Sequence, residues 1–175
     1  MERKIWRNHL TTIKKVGMYD DAFFMYFEDI DFCKKKISYK YPNFFDKPFL
    51  TLLLRSKAQN SVDFSNSVRN TNQESYIKSI EFAINKGYYI VSTGDTNAAL
   101  FKHINGFFDF SDIEIPAQLL NIFLITECKF FIGQQSGPFA LASSSGKNCL
   151  LVDNWPYRLG SFRKGDICLY KNVFI

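Results

Sequence analysis

Apolar and polar positions alternate between two periods along the chain from Pro48 onward. Short runs of continuous apolar residues, which are typical of buried parallel strands, are followed by longer segments with apolar residues every three or four positions, as in helices. This alternation predicts an α/β, Rossmann-like fold, a mostly parallel sheet with helices on both faces. The predicted strands cover residues 49–54, 88–92, 107–110, 130–132 and 149–153, and the predicted helices cover residues 76–84, 97–104, 116–127 and 138–145.

The first 41 residues follow a different pattern. They lack the alternation of strands and helices, and they combine an acidic cluster at residues 28–31 with a lysine run at residues 34–36. We therefore expect residues 1–41 to pack as an appendage outside the main sheet, and residues 42–175 to form one Rossmann-like domain. The acidic cluster has two interpretations, a solvated turn neutralised by the lysines or a group of carboxylates that includes a general base.

Polar residues follow the predicted strands at their carboxyl ends, the edge at which open parallel sheets bind ligands. Arg55 ends the first strand, Gly94 and Asp95 follow the second, residues 133–137 join the fourth strand to a helix, and Asn154 follows the last. The junction at residues 133–137 directs unpaired N–H groups and the positive end of a helix dipole at one spot, which suits a phosphate. The pattern predicts an anion-binding site along this edge.

Each of these residues also has a structural interpretation. Ser136 would serve equally as the cap of the helix that begins beside it, and Gly94-Asp95 is ordinary turn chemistry. Arg55 could form a structural ion pair instead of binding a ligand. The residues alone do not decide between ligand binding and these structural roles.

The composition agrees with a globular protein that binds an anion. Apolar residues make up 46% of the chain, and the net charge is +5, without a basic stripe of the nucleic-acid-binding type. The four cysteines form no Cys-x-x-Cys pair and only two histidines are present, so we predict no metal site and expect reduced thiols. Without a signal-like apolar segment or a run of about 18 apolar residues, we expect a cytoplasmic protein with no transmembrane segment.

The ordered set of motifs between Pro48 and Asn154 resembles a family of bacterial glycosyltransferases of GT-B type. The shared features are a strand ending in arginine, an Arg-Asn pair, a Gly-Asp turn and the junction Phe-Ile-Gly-x-x-Ser-Gly at residues 131–137. The resemblance covers roughly residues 42–175. It implies a single GT-B lobe that binds a nucleotide-diphosphate sugar, with the diphosphate against the glycine-rich turn and the helix start.

The resemblance also implies a reaction and a set of site residues. The reaction is transfer of a sugar, of the hexosyltransferase type, from the nucleotide-diphosphate donor to a glycan or lipid-linked acceptor in surface polysaccharide synthesis. Arg55 would stabilise the leaving diphosphate, so that neither a metal nor another cofactor is required. The implied donor contacts are Arg55, Arg69, Asn70, Gly94, Asp95, Gln135, Ser136, Gly137 and Asn154.

A second, shorter resemblance lies at residues 16–33, which are similar to a segment found late in GT-A glycosyltransferases of the rhamnosyltransferase kind. In that family a Glu-Asp pair faces the acceptor and supplies the general base, which implies this role for Glu28 and Asp29. The donor-binding half of a GT-A enzyme, with its Asp-x-Asp metal ligands, has no counterpart in the chain. We therefore interpret residues 1–41 as a GT-A-like remnant, with Asp29 as its candidate catalytic residue.

A complete GT-B enzyme has two Rossmann-like lobes, and the chain contains the pattern of one. This difference implies a missing amino-terminal lobe or a partner chain. An alternative from another functional class is a non-catalytic binding or scaffold domain, or a truncated pseudoenzyme, that keeps the fold.

Overall fold

Six strands form one parallel sheet in the computed structural model, which describes residues 25–55, 70–94, 96–154 and 163–171. The strand order is β3-β2-β1-β4-β5-β6, and every neighbouring pair is parallel. This is the strand order of the Rossmann fold, so the predicted fold class is confirmed. The strands are β1 (Phe49–Leu53), β2 (Tyr89–Ser92), β3 (Phe107–Phe108), β4 (Phe130–Gly133), β5 (Cys149–Asn154) and β6 (Ile167–Tyr170).

Helices cover both faces of the sheet. Successive side chains of β1 enter two different apolar clusters, because neighbouring residues of a strand point to opposite faces. One cluster includes residues of the helices at Met25–Lys40, Ala117–Glu127 and Gly137–Ser144, and the other includes residues of the helix at Ile77–Asn85. The α-helices are α1 (Met25–Lys40), α2 (Ile77–Asn85), α3 (Ala117–Glu127) and α4 (Gly137–Ser144), and 3-10 turns cover Phe44–Asp46, Gln73–Tyr76 and Ala98–Leu100.

The central strand β1 is buried along its whole length, which explains its continuous apolar run. Its one polar residue, Thr51, is 0% exposed and donates its hydroxyl hydrogen to the Leu124 carbonyl of α3 at 2.7 Å. A buried hydroxyl needs such a partner, since an unsatisfied one would cost free energy on folding. The bond ties the middle of the sheet to the helix packed against it.

Thr51→Val is expected to lower the free energy of unfolding by about 1 kcal/mol, because it keeps the shape of the side chain and removes this hydrogen bond. Urea unfolding followed by circular dichroism measures the change. Thr126→Val is the matched control, since among the described residues the Thr126 hydroxyl bonds only carbonyls of its own helix, at Ile122 and Phe123. An equal loss of unfolding free energy in the two variants would show that the hydrogen bond between Thr51 and Leu124 stabilises the protein no more than a bond within one helix does.

Residues 97–104 do not form the predicted α-helix. Only Ala98–Leu100 is helical, as a 3-10 turn, and further bonds run from Ile104 N–H to the Phe101 carbonyl and from Phe107 N–H to the Ile104 carbonyl. In such turns, side chains three residues apart face the same side, and Phe101, Ile104 and Phe107 are buried. An amphipathic α-helix has a similar spacing of apolar residues, which is why the sequence suggested one. β3 is also shorter than predicted. β6 was not predicted, because it is an edge strand with mostly exposed residues and lacks the pattern of a buried strand.

Residues 25–40 form α1, which packs on the face of the sheet that carries α3. Cys33 and Ile37 of α1 are fully buried in the same apolar cluster as the α3 side chains. Three lysines of α1 form ion pairs with acidic residues at the carboxyl end of α3 and in the loop before it. These pairs are Lys34 with Glu127 at 3.5 Å, Lys36 with Glu114 at 3.8 Å and Lys40 with Asp112 at 2.6 Å.

These contacts test only part of what we expected of residues 1–41. Lys34 and Lys36 form ion pairs with acidic residues of the expected main domain. Phe23 and Phe24 fall outside the described residues, and the domain boundary after residue 41 stays a prediction. Within the described part of the chain, no helix is both long and apolar enough to cross a membrane.

Candidate functional site

The strand order reverses at the centre of the sheet, between β1 and β4. The chain leaves β1 toward β2 on one side, and it leaves β4 toward β5 on the other. Such a switch point opens a crevice at the carboxyl ends of the two strands, where Rossmann-like sheets bind ligands. β1 and β4 end level with each other, since Leu53 pairs with Gly133. Arg55 and the start of α4 therefore follow the two strands that border the crevice.

Two side chains hold the backbone of Leu54, the first residue after β1. The Leu54 N–H donates to Thr96 Oγ1 at 2.9 Å, and the Leu54 carbonyl accepts from Gln73 Nε2, also at 2.9 Å. Gln73 is buried, and its own Oε1 accepts from the Asn97 N–H at 2.8 Å. Side chains from a 3-10 turn and from a loop thus replace the strand partners that Leu54 lacks.

The backbone of Arg55 is held in the same way. Its N–H donates to Gln134 Oε1 at 2.7 Å, and its carbonyl accepts from the Thr71 N–H at 3.3 Å. All four polar backbone groups of Leu54 and Arg55 are therefore satisfied, which fixes the direction in which the chain leaves the sheet.

The Arg55 side chain is half-buried, and its guanidinium forms no hydrogen bond or ion pair with any residue in the described ranges. The structural ion pair considered for it is thus not formed within those ranges. A guanidinium offers five donors in a fork that fits a phosphate or carboxylate. At the switch point, no described residue occupies these donors.

Ser136 is the N-cap of α4. Its Oγ accepts from the Phe139 N–H at 3.4 Å, and its hydroxyl donates to the Gln134 carbonyl at 2.9 Å. The capping interpretation of Ser136 therefore holds, and its hydroxyl is already engaged within the protein. Pro138 has no N–H, so the first donor that the helix start offers to a ligand is the N–H of Gly137.

Gly137 is a glycine that the fold does not require. Its φ is not in the left-handed range, and a Cβ added there would meet nothing within 4 Å. Other residues form helices more readily than glycine does, so packing gives no reason for one at this position. Its bare backbone leaves room for a ligand to approach closely, as phosphates do at glycine-rich helix starts.

Gly133 and Gly94, in contrast, have structural reasons to be glycine. A Cβ at Gly133 would lie 2.9 Å from the Leu53 carbonyl oxygen and equally close to the Phe131 ring. Gly94 has a φ of 59°, and its Cβ would lie 3.0 Å from Leu53 Cδ1. Both glycines let neighbouring backbone and side chains approach, so their presence is explained without a ligand.

The carboxyl end of β5 carries a polar cluster that the sequence interpretation included only through Asn154. Asp153 adopts a left-handed φ of 47°, and its Oδ2 accepts hydrogen bonds from the hydroxyls of Thr71 and of Tyr76, the latter at 2.9 Å. Burial raises the pKa of the Tyr76 hydroxyl, and the neighbouring Asp153 carboxylate adds to the shift. The phenol therefore stays a hydrogen-bond donor at neutral pH.

Asn154 is 1% exposed, and neither atom of its carboxamide forms a hydrogen bond with a described residue. The thiol of Cys168 is a polar neighbour, but thiols are weak hydrogen-bonding partners. Buried amides normally have a partner, so the Asn154 carboxamide has hydrogen-bonding capacity that no described residue uses, at the carboxyl end of β5. Its role as a donor contact stays a prediction.

The remaining candidate residues are Asn70, Gln135, Arg69 and Asp95. Asn70 offers its backbone carbonyl to the Lys171 ammonium, which ties residue 70 to the end of β6. Gln135 is half-buried in the loop between β4 and α4. Arg69 and Asp95 lie outside the described residues.

Asp29 lies on α1, one turn before the buried Cys33. Burial raises the pKa of the Asp29 carboxyl, and burial together with the Asp29 charge raises the pKa of the Cys33 thiol to about 11. Within the described ranges, no hydrogen bond or ion pair joins Asp29 to Arg55 or to the start of α4. Its role as a general base therefore stays a prediction.

Buried thiols line the core and not the candidate site. Burial raises the pKa of the Cys128 thiol and raises that of Cys149 to about 12, so these thiols stay protonated at neutral pH. Among the described residues, no group of three His, Cys, Asp or Glu side chains could hold a metal ion.

Comparison with solved structures gives a related fold. E. coli heptosyltransferase WaaC, solved with ADP-2-deoxy-2-fluoro heptose, superimposes with a TM-score of 0.51 at 11% sequence identity. The chain has a GT-B-like fold. The match covers 71% of this chain and 37% of the heptosyltransferase chain, so the chain spans little more than a third of that enzyme's length. No protein-family model matches the sequence, and no curated protein matches it.

Proposed function

We propose that this chain is the donor-binding lobe of a glycosyltransferase and that it binds a nucleotide-diphosphate sugar at the carboxyl edge of its sheet. The observation that carries the proposal is the half-buried Arg55 guanidinium, which has no partner among the described residues and follows the strand beside the switch point. The open approach to the Gly137 backbone at the start of α4 supports it independently. A GT-B-like fold is consistent with both.

The proposed chemistry depends on charge that develops as the reaction proceeds. The acceptor hydroxyl oxygen bonds to the anomeric carbon of the sugar, the bond from that carbon to the diphosphate oxygen breaks, and the hydroxyl proton passes to a base. Negative charge grows on the leaving diphosphate, where Arg55 and the N-terminus of α4 stabilise it. Asp29 is the candidate base. No metal is required for this charge stabilisation.

The acceptor and the pathway follow from the sequence resemblance. We propose a glycan or lipid-linked acceptor in surface polysaccharide synthesis, bound between this lobe and a second lobe or a partner chain. A scaffold domain that keeps the fold without binding a donor is the alternative.

Calorimetric titration of the wild-type chain with UDP-, GDP-, dTDP- and ADP-sugars tests the proposal. At least one nucleotide sugar should bind with a dissociation constant in the millimolar range or below, and the corresponding free sugar should not bind, because the diphosphate supplies the main contacts. A folded chain that binds none of the panel at millimolar concentration would contradict the proposal and favour the scaffold alternative.

A further inference from the structure

Gln134 links the two parts of the proposed site. Its side chain is 3% exposed, and its Oε1 accepts the hydrogen bond from the Arg55 N–H. Its carbonyl oxygen accepts from the Ser136 hydroxyl, and Ser136 in turn caps α4 through the Phe139 N–H. A continuous chain of hydrogen bonds therefore runs from the end of β1 through Gln134 to the N-terminus of α4.

The position of the Arg55 N–H explains why a side chain has to accept it. The paired residues of β1 and β4 end at Leu53 and Gly133, so Arg55 lies beyond the last strand partner. An N–H in this half-buried place needs an acceptor. A long carboxamide that turns back from the β4–α4 loop supplies one, and an apolar residue at position 134 would leave the N–H unsatisfied.

The same bond sets the geometry of the site. The direction of the Arg55 side chain follows from the orientation of its backbone, and Gln134 connects that backbone to the helix start. A diphosphate carries two anionic groups a short distance apart, so it binds best to donors whose separation is fixed beforehand. The two donors here are the Arg55 guanidinium and the Gly137 N–H.

We propose that Gln134 is a positioning residue, which holds Arg55 and the start of α4 in the relative placement that lets them bind one diphosphate together. The inference rests on the proposed function of this edge. It assigns Gln134 no contact with the ligand, because its Oε1 and its carbonyl oxygen are engaged within the protein.

A double-mutant cycle in diphosphate affinity tests this role. The variants are Gln134→Met, which keeps the length of the side chain and removes the acceptor, Arg55→Ala, and the two combined. The calorimetric probe is inorganic pyrophosphate, or the nucleotide sugar of the panel that binds the wild type most tightly. Gln134→Met should weaken binding by about threefold to tenfold, and in the Arg55→Ala background it should change binding by less than about twofold.

Controls separate positioning from a general effect on the fold. Gln118→Ala removes an exposed glutamine from α3 and should leave affinity unchanged. If the Met variant does not fold, Gln134→Asn replaces it, since the shorter side chain keeps the polarity of the site and withdraws the carboxamide from the Arg55 N–H. The affinity changes expected of Gln134→Met are then expected of Gln134→Asn.

The outcomes distinguish this inference from the proposed function. Wild-type binding together with unchanged affinity in the Gln134 variant would overturn the inference alone. An equal loss with and without Arg55 would also overturn it, because the effect would not pass through Arg55. A wild type that binds neither pyrophosphate nor any nucleotide sugar would overturn both.

Discussion

Arg55→Ala is expected to weaken binding of the nucleotide-diphosphate sugar by about tenfold to a hundredfold. A hydrogen bond from a charged donor contributes roughly 1.5–3 kcal/mol, and about 1.4 kcal/mol corresponds to a tenfold change in affinity. The guanidinium has no partner among the described residues, so its removal should leave none of their charges unpaired. The free energy of unfolding should therefore change little, within about 0.5 kcal/mol.

Calorimetry and urea unfolding on the same preparations check both halves of this expectation. Arg55→Lys is the matched variant, since it keeps the positive charge and loses the planar fork of donors. Its affinity should lie between those of the wild type and Arg55→Ala. A loss of stability as large as the loss of affinity would mean that Arg55 serves the fold, and an unchanged affinity would remove it from the site.

Gly137→Val is expected to weaken binding by about tenfold or more while the protein keeps its stability. The branched side chain would stand where a phosphate approaches the backbone of α4. Nothing within 4 Å opposes the new side chain in the free protein, and the φ of residue 137 is one that valine can adopt. Combined with Arg55→Ala, the loss should be smaller than the sum of the two, because both act on one diphosphate.

Gly133→Ala is the contrasting control for this prediction. Its Cβ would lie 2.9 Å from the Leu53 carbonyl oxygen and from the Phe131 ring, so the strands must shift, at a cost of roughly 1–3 kcal/mol in stability. Gly137→Val should show the opposite balance, with affinity lost and stability kept. A Gly137→Val protein that binds as the wild type does would show that the ligand does not approach this helix start.

Most of the fold could be predicted because its strands are buried on both faces. β1, β4 and β5 produce apolar runs for this reason, and a polar residue or a glycine follows each run, at Arg55, Gly133 and Asp153. β6 could not be found in this way, because an exposed edge strand of four residues has no such pattern. The turns at residues 97–104 share the spacing of an α-helix, and only their hydrogen bonds distinguish the two.

The candidate site was predictable where a residue stands at the end of a strand. Arg55 and Gly137 became candidates from the sequence because a charge follows an apolar run at Arg55 and a glycine precedes the predicted helix at Gly137. Gln134, Gln73 and Thr96 could not be found, because each acts through a hydrogen bond to backbone far away in sequence. A buried amide in a loop belongs to no periodic pattern of apolar and polar residues, so the sequence does not mark it.

Backbone amide NMR of the 15N-labelled chain, titrated with the nucleotide sugar panel and with inorganic pyrophosphate, tests the central claim most directly. The claim predicts that the largest shift changes occur at the amides of Arg55, Gln134, Gly137, Phe139 and Ala140, on the carboxyl edge of β1 and β4. Lys129 and Asn148, which precede β4 and β5 at the opposite edge, should not change. An absence of changes at millimolar ligand, or changes that centre on Lys129 and Asn148, would contradict it.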